Sequence, residues 1–512
     1  MATLAEASHR LSSLDWAVIV AYGVGMLGVG FFYSRRAKTS DDYLLGGRQM
    51  SSWSIGLSLF ATLLSTVSYL AVPSEMIHRG PMILFGVASY PLIILIVGWV
   101  LIPRIMQFRV TTAYEILEHQ LGLSARMVGS CIFVLMRLLW MAVIIYATAD
   151  KVLVPLAGLD RSATPWVCAI MGVITLMYTS LGGLQAVVWT DVVQTFILFA
   201  AAVAGLVVIS VKMGGVGAWV PTHWAPHWET FRVFPDGSPR LSLIDMLLSS
   251  LIWYVCTAGS DQMAIQRYLA TRDAKAARAA FIINQLTDVV VLLFCSALGF
   301  ALLAYYTANP GLLEPGQTIY GNSDQLFPQF IVFGLPKGIT GLVVAGLLAA
   351  AMSSLSSGMN SITSVVTVDF INRFKTVKLT ELNQLRLAKY ISFAVGVITV
   401  LLSFLYVRQV HGNLLEVAYK VVNLLTVPLF LLFLMAMFIP FASQAGTLIG
   451  VAASTAAAVT TGYWHEMTGR PGVGFTWIMP LAMIVGFTVA CLASAVFKRV
   501  PTQSDVLVRN EN

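Results

Sequence analysis

Four serines within five residues, Ser353, Ser354, Ser356 and Ser357, stand in the otherwise oily stretch "AAAMSSLSSGMN". A hydroxyl held away from water must find a hydrogen-bond partner or a ligand. On a helix, residues three and four apart share a face, which puts Ala350, Ser353 and Ser357 on one stripe with Ser354 and Ser356 on its flanks. Hydroxyls are neutral oxygen donors, and hard cations prefer oxygen ligands. A ring of such oxygens can hold Na+ without binding it too tightly to release it. The alternative is close helix packing, with each hydroxyl bonded back to its own helix. A second group, Ser65, Thr66 and Ser68, interrupts the apolar run "SWSIGLSLFATLLSTVSYLAVP" near its middle. Local unwinding there would free backbone carbonyls, such as those of Ala61 and Leu64, to face an ion; an intact helix would only pack the serines.

Ionisable residues inside oily runs narrow the chemistry further. Asp191, in "AVVWTDVVQT", lies about one and a half turns into a span, and a carboxylate costs ~2.5–3.5 kcal/mol at the bilayer centre and less near an interface. A bound cation offsets that cost, and snorkelling to the surface is the other solution. Arg137, in "IFVLMRLLWMAVIIY", sits near the middle of its run, out of easy reach of either surface. Its guanidinium presents a bidentate fork matched to carboxylates. It therefore either pairs with a protein acid, for which Asp288 is the candidate at comparable depth, or receives an anionic solute. Glu416 and Lys420 are four apart with the acid first, and are expected to satisfy each other.

These groups need a frame that holds them in lipid. The chain has 512 residues, 58% hydrophobic and 11% charged, with a mean hydropathy of +0.81. Soluble proteins carry about 25% charged residues, so this is an all-α integral membrane protein. A helical crossing needs about 20 mainly apolar residues. Thirteen spans are predicted, at 14–33, 51–72, 82–103, 127–154, 163–180, 186–211, 241–258, 280–306, 340–368, 387–407, 413–439, 442–464 and 474–497. The longest connections, 213–240 and 307–339, are too short for a soluble domain, so residues 1–512 read as one domain. The second to eleventh spans form two groups of five, 51–212 and 241–439, with one extra N-terminal helix and two extra C-terminal ones. An odd number of helices per group makes the second an inverted copy of the first, an architecture in which solutes and ions bind near the midplane at broken helices.

Orientation follows from the bias of Lys and Arg toward cytoplasmic connections. With the N-terminus outside and the C-terminus inside, nineteen of the 31 Lys and Arg fall in inner connections and ten in outer ones, leaving Arg137 and Lys420 within spans. The chain is expected in a plasma membrane, or the inner membrane of a bacterium. The net charge of +7 sits in short connections and does not point to nucleic acid. No secretory signal is expected at the N-terminus. The five cysteines all fall in apolar runs, which argues against disulfides and a zinc site. Neither a His-Glu-x-x-His pair nor a serine with a spaced His/Asp partner lies within the spans, so an enzyme is not expected.

Several segments, in this order, carry a resemblance: "DDYLLGGRQMSSWSIGLSLFAT", "RVTTAYEILEHQLG", "YTSLGGLQAVVWTDVVQ", "GSDQMAIQRYLATRDAKAAR" and "LPKGITGLVVAGLLAAAMSSLSSGMNS". Together they resemble the sodium:solute symporter family, that of the sodium/glucose and bacterial sialic acid cotransporters, from about Asp15 to the last span. The resemblance implies a five-plus-five inverted-repeat fold like that of the leucine transporter, working by alternating access. It implies a first sodium site at the backbone oxygens of Ala61, Leu64 and Ala350 with the hydroxyls of Ser353 and Ser354. It implies a second at Asp191, Ser353, Ser356 and Ser357, hence two Na+ per solute. Sugar-carrying members resemble one another in an acidic residue on the third span, which is absent here. Sialic acid symporters have an arginine facing the solute carboxylate and hydroxyls on the broken helix, and Arg137, Ser65 and Ser68 fall at those positions. The threonine expected nearby is Leu63, and the expected glutamine on the third span is missing. The implied cargo is a small organic anion, a sialate-like sugar acid or a simpler monocarboxylate, with Na+ as coupling ion, the lipid bilayer as surroundings, and no organic cofactor or obligate protein partner. A neutral sugar is the alternative cargo, and a sodium- or solute-sensing receptor the alternative class.

Overall fold

The structure, a computed structural model, describes residues 11–234, 242–375, 380–409, 414–470, 472 and 474–497, with the side chains of 406–422 outside that description. Among the described residues every regular element is helical. Helix α1 (Ser13–Ser34) opens on a capping box in which the Asp15 amide donates to Ser12 Oγ and the Ser12 amide to Asp15 Oδ2. There follow the half-helices α2 (Ser52–Leu63) and α3 (Thr66–His78), then α4 (Pro81–Met106), α5 (Leu123–Thr148) and α6 (Thr164–Lys212). The second half begins with the half-helices α7 (Leu243–Ser260) and α8 (Gln262–Leu269) and continues through α9 (Ala274–Ala308), α10 (Ile339–Val365), α11 (Glu381–Gln409) and α12 (Leu414–Phe438). Helices α13 (Gln444–Gly462) and α14 (Ile478–Val496) close the described chain and pack on each other.

Both halves open on an interrupted helix. Helices α2 and α3 meet at a 68° bend. Between α7 and α8 the backbone is extended at Asp261 (φ −79, ψ 124), whose side chain caps α8 by accepting from the Met263 amide at 2.8 Å. By its apolar pattern α8 belongs to a connection, yet all eight of its residues are buried.

Ten helices are long and apolar enough to cross a membrane, or eleven if the bent pair is one span, among the described residues. That is fewer than the thirteen spans expected. Two of those, 163–180 and 186–211, run together in the 49-residue α6. At 1.5 Å per residue such a helix would be about 74 Å long against an oily layer of about 30 Å, so it must fold back or leave the membrane. It turns at Gly183 (φ 61, ψ −159). The span expected over 413–439 shows its described apolar part at Asn423–Phe438.

Helix α10 is the central post: all its residues but Ile339 and Leu342 are buried, against α1, α2, α5, α6 and α11 among others. Its run of Ala, Gly and Ser lets neighbouring backbones approach closely, as in other membrane helix interfaces. Its N-terminus is held by Asp15 Oδ1, which accepts from the amides of Gly338 and Gly341 at 2.7 and 2.8 Å. Beyond its C-terminus, Asp369 accepts from Arg126 Nε at 2.8 Å and from Thr112 Oγ1 at 2.7 Å. Large apolar side chains such as Val24, Ile170, Phe196 and Leu401 face outward, as a lipid-facing surface requires.

The turn in α6 makes a test. Gly183 occupies a backbone region open essentially to glycine alone, and a Cβ there would meet the Tyr43 carbonyl oxygen at 2.6 Å. Gly183→Ala should cost roughly 1–3 kcal/mol in backbone strain before the clash is counted, read as a lowered thermal midpoint in detergent. Gly23→Ala, with nothing within 4 Å of its Cβ, should leave the midpoint unchanged.

Candidate functional site

At the α2–α3 break, Leu64 and Ser65 are extended (φ −81, ψ 130 and φ −118, ψ 165). The helical ladder is interrupted there, so carbonyls just before the break turn toward a neighbour. Helix α10 meets them with hydroxyls. Ser353 Oγ lies 2.8 Å from the Ala61 carbonyl oxygen and 3.2 Å from that of Ala350. Ser354 Oγ lies 2.9 Å from the Leu64 carbonyl oxygen and 3.0 Å from that of Thr62. The residues expected to form the first sodium site are thus brought to one buried place, and every donor atom there is a neutral oxygen, the chemistry a weakly held alkali cation needs. Thr66 Oγ1 adds a hydrogen bond to the Leu347 carbonyl at 2.8 Å, fastening α3 to α10 as well.

The second expected set is only partly together. Ser357 reaches Asp191 Oδ2 at 3.4 Å, but Ser356 donates to the Ser353 carbonyl of its own helix at 3.0 Å, and Ser353 turns to the first set. The cation beside Asp191 comes from a stretch that the apolar pattern places in an inner connection. Arg267, on α8 and wholly buried, donates from Nη2 to Asp191 Oδ2 at 3.0 Å, from Nε to Ser58 Oγ at 2.9 Å and from Nη1 to the Met263 carbonyl at 2.9 Å. It also donates to Ser357 Oγ. Asp191 neither snorkels nor stands alone: it is completely buried and its charge is met by a guanidinium. One carboxylate oxygen, Asp191 Oδ1, stays buried without a hydrogen-bond partner.

Beside the break lies a cavity of about 250 Å³ between the two halves of the molecule, lined by residues of α2–α5, α7, α9 and α12. Arg137 and Ser68 line it; Ser65 does not, being instead the cap of α3, where it accepts from the Ser68 amide at 3.4 Å. The anticipated Arg137–Asp288 pair is absent. Arg137 donates through Nη2 to Asp261, the acid at the α7–α8 break, while its Nε is buried without a partner. Asp288 lines the cavity and accepts from two tyrosines, Tyr90 and Tyr254. Asp261 falls in a stretch that the apolar pattern assigns to a connection, so sequence alone does not mark it as a partner. Glu416 and Lys420 have side chains outside the described residues.

A polytopic helical protein with oxygen donors converging at a broken helix, beside a cavity between its two halves, belongs, as a class, with the secondary transporters. The family model described as the sodium:solute symporter family matches residues 43–453, and the chain belongs to that family: a multi-pass membrane transporter and not an enzyme, moving a small organic solute with sodium. It is similar to the sodium/sialic acid symporter SiaT of Proteus mirabilis, 28% identical over 90% of this chain and 91% of that protein. It is similar also to the sodium-coupled monocarboxylate transporter 1 of Mus musculus, 28% identical over 90% of this chain and 76% of that one. In structure it matches a substrate-bound, outward-open Na+-coupled sialic acid symporter with a TM-score of 0.84, at 26% identity over 96% of this chain and 99% of that chain.

Removing one member of a buried ion pair strands the other, a loss of about 3–5 kcal/mol. Arg267→Gln and Asp191→Asn should each lower the thermal midpoint and the yield of monodisperse protein, and the double variant should recover much of the loss. A loss in the double variant equal to the sum of the two single losses would show that the two residues act independently.

Proposed function

We propose that the chain imports a small carboxylate-bearing solute, driven by Na+ held at Ala61, Leu64, Ala350, Ser353 and Ser354. The observation that carries the solute class is Arg137: a guanidinium lining the cavity beside the helix break, with Nε unpartnered. The names of the relatives, which handle sialic acid and monocarboxylates, support the same reading, with Ser68 as a further contact. Ser65 acts one step back, by capping the half-helix on which Ser68 stands.

Sodium bound between α2 and α10 favours the conformer in which these helices stand together, by its differential affinity for that conformer. Its loss to a low-sodium interior releases them. Residues 51–212 and 241–439 are the two inverted units that exchange access, with the N-terminus outside and the C-terminus in the cytoplasm. Buried pairing removes Arg126 and Arg267 from the nineteen inner charges, and the remaining seventeen still exceed the ten outer ones. A second Na+ has Asp191 Oδ1 open to it, and to gain Ser357 it must loosen the hold of Arg267. Two sodiums with one monoanion would carry one net charge inward, worth ~2.3 kcal/mol per 100 mV.

Two measurements in proteoliposomes test this. Ser354→Ala should raise the sodium concentration for half-maximal uptake about tenfold, on the scale of one ion ligand lost; an unchanged requirement refutes the first site. A sodium Hill coefficient near two supports the second ion, and one near unity assigns that place to Arg267 alone. Arg137→Ala should abolish carboxylate uptake while sodium still raises the thermal midpoint, whereas Asp261→Asn, which frees the guanidinium, should retain it.

A further inference from the structure

The cavity holds a second ionisable side chain that the reading above leaves unused. Asp288, on α9, is reached from α7 by Tyr254, which donates to Oδ2 at 2.6 Å, and from α4 by Tyr90, which donates to the same oxygen. The two phenol oxygens are 2.8 Å apart. Both bonds end on Oδ2; Oδ1 accepts no hydrogen bond from any described residue, although the side chain lines the cavity. Among the described residues no Lys or Arg is paired with Asp288, and the other charged group lining the cavity, Arg137, is joined to Asp261.

Charge decides what such a cavity accepts. Arg137 and Asp261 together are neutral, so an ionised Asp288 leaves the cavity with an unmatched negative charge that two phenol donors moderate but do not cancel. Exposure of a carboxylate at this depth is costly and points to function. A plain monocarboxylate adds a second negative charge to the space, where repulsion is poorly screened. A solute carrying a positive nitrogen relieves the imbalance, and its carboxylate can be met by Arg137, which lines the same cavity. The tyrosine hydroxyls occupy one carboxylate oxygen and so hold the group with the other turned to the solute.

We propose that the transported solute is zwitterionic, of amino-acid type, its protonated nitrogen held by Asp288 Oδ1 and its carboxylate by Arg137. The proposal rests on the reading of this cavity as the solute site and narrows the class of solute within it. The rival donor for Asp288 is a sugar hydroxyl, and the two differ in charge.

The test is sodium-driven uptake by the full chain in proteoliposomes, with three kinds of probe: zwitterionic amino acids such as proline and leucine, monocarboxylates of similar size such as lactate and nicotinate, and N-acetylneuraminate. The zwitterions should be taken up at least about tenfold better than the other two, as expected for one charge-assisted hydrogen bond. Asp288→Asn should remove that preference, lowering zwitterion uptake about tenfold while changing monocarboxylate uptake by less than about threefold. Tyr254→Phe, which keeps the charge, should preserve the preference. A sodium-dependent rise in the thermal midpoint of each variant identifies folded protein, and should Asp288→Asn not fold, the wild-type ranking and the Tyr254→Phe ranking still decide. Preference for lactate, nicotinate or N-acetylneuraminate in the wild type overturns the proposal and leaves the carboxylate reading standing, as does an equal loss for all carboxylates in Asp288→Asn. If no carboxylate-bearing probe moves with sodium, both fall.

Discussion

A backbone carbonyl without its helical partner has no water to turn to inside a bilayer, so it must be met by protein or by an ion. That constraint organises this molecule. The break at Leu64 and Ser65 releases carbonyls at mid-chain of a helix pair, and the only neighbour supplying hydroxyls to the Ala61 and Leu64 oxygens among the described residues is α10, through Ser353 and Ser354. To bring hydroxyls so close to foreign carbonyls, α10 has to be built from small residues and pinned. It is fixed at one end by Asp15 and beyond the other by Asp369. Its burial on nearly every face follows from the same requirement.

Charge is handled by a related economy. Each buried arginine of the central region lies against an acid at or beside an interrupted helix: Arg137 against Asp261 at the α7–α8 break, and Arg267, on the half-helix that follows it, against Asp191. Arginine suits such places because its fork serves several acceptors at once. Arg267 uses this fully, joining α2 through Ser58, α6 through Asp191 and α10 through Ser357. The neutral oxygen donors and the Arg267 guanidinium therefore occupy adjoining parts of one α2–α10 seam, and the cavity that Arg137 and Asp288 line lies beside the break.

The sequence disclosed what depends on local pattern. Long apolar runs gave the spans, and the hydroxyl ladder at Ser353–Ser357 gave the helix face that meets the break, because i, i+3 and i+4 spacing is a property of the chain itself. What stayed hidden depends on partners far along the chain. Arg267 read as a loop cation since α8 is only eight residues long and mildly polar, and nothing local says that it is buried. Asp261 is hidden for the same reason, which leaves Asp288 as the one acid at comparable depth to set beside an anionic solute as the partner of Arg137. The role of Ser65 as a cap was disguised by its hydroxyl, which suits a ligand and an N-cap alike. Gly183 folds α6 by backbone angle, where the hydropathy pattern shows two runs and a short gap.

The spacing of the buried charges along the chain also bears on how the protein is made. Asp191 leaves the ribosome 76 residues before Arg267, and Arg137 leaves 124 residues before Asp261. At roughly 5–20 residues per second, the acid of the first pair waits about 4–15 s for its counter-ion, and the base of the second waits longer. During that interval neither helix can settle at its final depth without the cost of a lone charge in lipid. Nascent α5 and α6 carry that cost until α7 and α8 are made, so synthesis order makes the buried charges of the amino-terminal half dependent for their neutralisation on a break and half-helix not yet translated.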